Sequence, residues 1–140
     1  MILSIIGYCL IICTVLYAMY TDIKIRKIYN NIPLIIIAVS FLLILFTDIN
    51  VSYLSGIVVL VIGFILSMYN IWGAGDAKFC FALSLSIPGE NLPAFLLFTS
   101  VIGGIMAVLM LIVPHLYGRY KTLPYGVALG CGYIVNLLTF

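Results

Sequence analysis

Six apolar runs, at residues 2–20, 32–47, 51–70, 77–87, 92–113 and 123–140, fill most of this 140-residue sequence and leave all but one of its Asp, Glu, Lys and Arg residues between them. Few folds admit that arrangement. A soluble domain carries roughly a quarter charged residues, whereas 7% of this chain is charged and 66% is hydrophobic. Soluble enzymes, nucleic-acid binders and disordered linkers are excluded, and the lipid bilayer is the expected surrounding. In hydrocarbon every backbone N–H and C=O must be paired within the protein, and continuous rather than alternating hydrophobicity favours helices over a barrel. The expected fold is all-α, a polytopic membrane bundle of six transmembrane helices forming one domain over residues 1–140.

The fourth run is the awkward one. Its 11 residues make about 17 Å of helix against a hydrocarbon core of about 30 Å. A re-entrant segment there would invert every downstream loop, so a short crossing ended by Pro88-Gly89 is expected, with local thinning of the bilayer or a recessed inner end. Nothing basic precedes the first run, while Lys24, Arg26 and Lys27 follow it, so it is expected to stay attached rather than be removed as a signal.

Orientation follows from the charges. The connecting segments alternate between 21–31, 71–76 and 114–122 on one side and 48–50 and 88–91 on the other. All six basic residues, Lys24, Arg26, Lys27, Lys78, Arg119 and Lys121, fall in or beside the first set. By the positive-inside rule that side is cytoplasmic, and both termini are outside. Asp48 and Glu90 then lie on the outer face, His115 marks the membrane surface, and Asp22 and Asp76 share the inner face.

Each inner acid has an ordinary reading by itself. Asp22, closing the first helix, is a solvated interfacial carboxylate, and Asp76, opening the fourth, is a helix N-cap. Together they are less ordinary, because Asp76 follows Gly73-Ala74-Gly75, where glycines permit a tight turn and close backbone approach. Paired carboxylates sharing one proton are what water-activating peptide hydrolysis requires. The helix dipoles place that proton on Asp22, at a C-terminus, and leave Asp76, at an N-terminus, as the ionised base. Two other classes stay open: a small membrane transport or binding subunit, and a presenilin-like intramembrane protease. No charge sits near the middle of any run, where transport sites are found, and Asp22 abuts a basic loop instead of lying mid-helix.

The remaining candidates have two readings each. Lys78 either snorkels to the interface or acts on Asp76 or a substrate carbonyl. Tyr125 belongs to an interfacial belt or to a cleft wall, and Pro124 suits a helix start. Gly126 and Gly130 form a G-x-x-x-G expected to make a tight contact within the bundle. Cys9, Cys13, Cys80 and Cys131 form no C-x-x-C pair, and with one His they offer no metal site.

Three blocks in order resemble the type IV prepilin peptidases, membrane aspartic peptidases related in motif to the Gly-x-Gly-Asp intramembrane proteases. They are Asp22 to Asn30 (an Asp followed by basic residues, with Tyr29 where the family has Pro), Gly73-Ala74-Gly75-Asp76-Ala77-Lys78, and Leu123-Pro124-Tyr125-Gly126. The likeness is to the short form of tight-adherence pilus systems and archaeal preflagellin peptidases. It implies Asp22 and Asp76 as catalytic residues, with Asn30, Gly73, Gly75, Lys78, Pro124, Tyr125 and Gly126 binding substrate or supporting the site. It implies no metal or other cofactor. The implied partner is a prepilin-like precursor with a short basic leader, cut at the cytoplasmic face just before a hydrophobic helix, in the biogenesis of type IV pili or related filaments. N-methyltransferase activity is not expected, because the extra cytoplasmic segment with paired C-x-x-C motifs that longer relatives carry is absent. The oligomeric state stays open.

Overall fold

The apolar runs become helices. In a computed structural model, which describes residues 2–47, 50–69, 72–113 and 123–140, the elements are α1 (Ile2–Ile25), α2 (Asn31–Phe46), α3 (Tyr53–Met68), α4 (Ala74–Ser84), α5 (Leu92–Ile112) and α6 (Tyr125–Thr139). No strand occurs among the described residues. Asp48, His115, Arg119 and Lys121, whose sides the charge pattern assigns, lie outside them.

Length separates the six described helices. Among the described helices, α1 and α5, with 24 and 21 residues, are long and apolar enough to cross a membrane. α2, α3 and α6 have 16, 16 and 15 residues, and α4 has 11. The shortness of α4 has a packing reason. It is the hub of the bundle, packed against α2, α3 and α6, while α1 joins α2 to α6 and α5 rests on α6. Phe79, Cys80, Ala82 and Leu83 of α4 are fully buried. A helix jacketed by protein has no lipid thickness to match.

Successive helices alternate in direction. Gly126, at the start of α6, meets Asp22 near the end of α1, and the N-terminal turn of α4 joins them. At the opposite end the Tyr8 hydroxyl donates to the Ser86 carbonyl at 3.3 Å, the Ser86 and Tyr133 hydroxyls bond at 2.9 Å, and the Asn136 side chain donates to the Asn91 carbonyl at 3.2 Å. These bonds satisfy buried polar groups that would otherwise each cost about 1–3 kcal/mol.

Outside, the surface is apolar. Leu10 and Leu16 on α1, Leu54 and Phe64 on α3, and Leu97 and Leu111 on α5 are all at least half exposed. A continuous apolar exterior of this kind is suited to lipid rather than water. With the two long apolar helices, it indicates membrane association. Of the four cysteines, all free, Cys9 and Cys13 face outward and Cys80 is in the core.

Candidate active site

The α1 helix runs past the apolar stretch, so Asp22 lies on its last turns rather than after it. Arg26 then takes the left-handed conformation (φ 57°), and its N–H donates to the Asp22 carbonyl at 3.0 Å, which closes the helix. The reversal drives Ile28 inward to 8% exposure. Its partners are two glycines: a β-carbon on Gly75 would lie 3.6 Å from Ile28 Cβ, and one on Gly126 would lie 2.9 Å from Ile28 Cδ1. Ile28 thereby wedges the start of α4 against the start of α6. Sequence reasoning missed this role, although an apolar residue inside a basic connector was the available signal.

Asp22 is 6% exposed. Its carboxylate accepts the Gly126 N–H at 2.9 Å across 104 residues of sequence, and the Val127 N–H and the Arg26 guanidinium also offset its burial. The reason lies in α6. Pro124 occupies the N-cap and has no side chain able to accept from the first turn. Asp22 supplies that acceptor from another helix.

Asp76 is the third residue of α4, whose N-cap is Gly73, so it is not itself the N-cap. Its carboxylate reaches back to the Gly73 N–H, one half of a capping box. A β-carbon on Gly73 would lie 2.7 Å from Asp76 Oδ2. No described glycine has a positive φ, so the Gly-x-Gly serves close approach here and not the tight turn expected of it. Asp76 precedes the apolar run of α4. Burial and, second, the charge of Asp22 push its carboxyl up to about 7, against the opposing Gly73 N–H. The rise at Asp76 runs against the expected placement of the proton on Asp22. The helix end that meets the Asp22 carboxylate belongs to α6, not to α1.

Both acids open onto one cavity of about 280 Å³, shared with Arg26, Lys27, Asn30 and Lys78. Lys78 Nζ donates to Asn30 Oδ1 at 3.4 Å, which joins α4 to the start of α2. Gly73 and Gly75 line the same cavity; of the three expected α6-side residues, Gly126 reaches it through Asp22, whereas Pro124 and Tyr125 do not line it. Tyr125 packs edge-on against Trp72, ring centroids 6.0 Å apart. Trp72 was not singled out by its sequence context. Gly130 sits against Met19 and Val15 of α1, so the G-x-x-x-G face is used inside the bundle.

A β-carbon on Gly126 would also lie 2.8 Å from Asp22 Oδ2. Gly126→Ala is therefore expected to displace the carboxylate and lower the activity of the site at least tenfold. Gly104→Ala, with nothing within 4 Å, is the matched control and should leave activity unchanged. Equal effects of the two substitutions would break the link between Gly126 and Asp22.

A membrane-associated helical bundle that holds two carboxylates in one open cavity, one of them pushed up to about 7, has the equipment for acid–base hydrolysis without a nucleophilic side chain. The chain belongs to the type IV leader peptidase family, whose model matches residues 9–108. Membership implies peptidase activity on a protein substrate of the leader-peptide kind. No curated protein and no solved structure matches the chain.

Proposed function

We propose that the protein is a membrane aspartic endopeptidase that removes the short basic leader of prepilin-like precursors at the cytoplasmic membrane face. The observation that carries the reading is the shared cavity of Asp22 and Asp76, with Asp76 raised to about 7 beside the Asp22 charge. Asp22 takes a proton from water, and the resulting hydroxide adds to the scissile carbonyl while Asp76 donates its proton to the carbonyl oxygen. The tetrahedral intermediate collapses as Asp22 passes its proton to the departing amine and Asp76 recovers its own. Arg26, Lys27 and Lys78 around the cavity support a cytoplasmic placement, with six membrane crossings and both termini outside.

The test uses purified full chain in lipid nanodiscs, offered a precursor with a Lys-rich leader and a hydrophobic segment. A single cut at the leader boundary is expected, unchanged by EDTA and by serine and cysteine reagents. Loss of cleavage on chelation with recovery on zinc addition would overturn the carboxylate mechanism.

A further inference from the structure

α2 and α3 both pack on α4, and between them lies a second groove of about 230 Å³. Its walls are Ile37, Phe41 and Ile44 of α2 and Tyr53 and Ile57 of α3, and its floor is Phe81 of α4 and Leu85 at its C-cap. Helical spacing connects this groove to the carboxylate cavity. On α2, Asn30, Ile37, Phe41 and Ile44 recur at intervals of 7, 4 and 3, and on the α4 side Ala74, Lys78, Phe81 and Leu85 recur at 4, 3 and 4. Each set forms a single stripe along its helix. Asn30, Ala74 and Lys78 line the cavity at one end of the two stripes, and the remaining residues line the groove. The Lys78–Asn30 bond stands where the polar and apolar parts meet.

We propose that this groove seats the apolar segment of the precursor, held as a helix, directly beside the bond presented to Asp22 and Asp76. The proposal rests on the peptidase reading and names the part of the substrate that the rest of the bundle recognises. A peptide leaving the cavity along the two stripes meets Ile37, Phe41, Ile44, Phe81 and Leu85. In lipid an extended backbone there would leave N–H and C=O groups unpaired, so the segment has to be helical. An acyl chain would fill the apolar groove, but it gives no account of stripes that run on to the carboxylates through a polar junction. From Lys78 to Leu85 the floor is seven residues, about 10 Å, which reads about the first seven residues of a docked helix. Specificity then comes from where the apolar segment begins relative to the scissile bond, with Phe41, Ile57 and Phe81 as the residues that gauge it.

Phe41 and Ile57 are 60% and 52% exposed, within reach of a bound segment. In the Asp76→Asn variant, which leaves the precursor whole, photoreactive benzoylphenylalanine placed at position 41 or 57 should capture the first turns of the precursor's apolar segment. The same group at Val108, 54% exposed on α5, should not. Capture of lipid alone at 41 and 57, or equal capture at 108, would overturn the proposal. Filling the groove with Ile57→Trp should lower kcat/KM at least tenfold for the full precursor and leave cleavage of a short soluble junction peptide unchanged. No loss, or equal loss on both substrates, would also overturn it. A wild-type chain that cuts neither substrate, while positions 41 and 57 still capture the segment, would instead overturn the peptidase reading and leave the docking site standing.

Discussion

Asp22→Asn and Asp76→Asn will each lower precursor cleavage by at least about a thousandfold, because an amide can neither take a proton from water nor return one to the leaving amine. The two positions separate in stability. Asn at position 22 keeps an oxygen facing the Gly126 N–H, so the fold is expected to hold. Ala at position 22 leaves the first turn of α6 without its acceptor, and loss of a cap costs about 1 kcal/mol. Asp22→Ala should therefore melt several degrees below Asp22→Asn, whereas Asp76→Ala and Asp76→Asn should differ less, since Asp76 caps only its own helix through the Gly73 N–H. Cleavage of the precursor in nanodiscs and thermal melts in the same preparation read both effects. More than a tenth of wild-type cleavage in either Asn variant would remove the dyad from the mechanism.

Cleavage will fall about tenfold per pH unit above about 7, as Asp76 loses the proton it donates. The alkaline fall is expected of a pair that needs its one shared proton; a fall on the acid side of 7 instead would mean that the active form carries none. The same group bears on stability. Its folded-state value lies above its ordinary 3.8, so between 3.8 and about 7 the folded chain binds more protons than the unfolded one. Stability from this group is thus fully present below the lower value and is lost as pH rises through the window. Asp76→Asn should flatten that decline, and kcat/KM profiles with melting curves at several pH values would show it.

The helices were legible because lipid allows little else: each apolar run closes its own backbone bonds, and the ends of α2, α3, α5 and α6 fall within about two residues of the runs. The lengths that matter for crossing were less legible. Burial of α4 among three neighbours is a tertiary fact, and an 11-residue apolar stretch looks alike whether it touches lipid or protein. At the candidate site, shared charge sidedness brought Asp22 and Asp76 to one face, and the cavity that contains both agrees with it. What periodicity could not reveal was the trans contact from Asp22 to α6, which joins segments 104 residues apart. Ile28 and Trp72 were missed for a similar reason, since each acts through a neighbour distant in sequence.

The bond from Asp22 to Gly126 also sets a schedule. A ribosome delivers Asp22 104 residues before Gly126, and until α6 arrives the carboxylate lacks the Gly126 N–H that holds it. The site is therefore completed only when α6 docks on α1. A nascent chain paused between residues 76 and 126 carries both acids without the α6 backbone that holds Asp22, so the pair is set only after α1 to α5, which surround it, have been made.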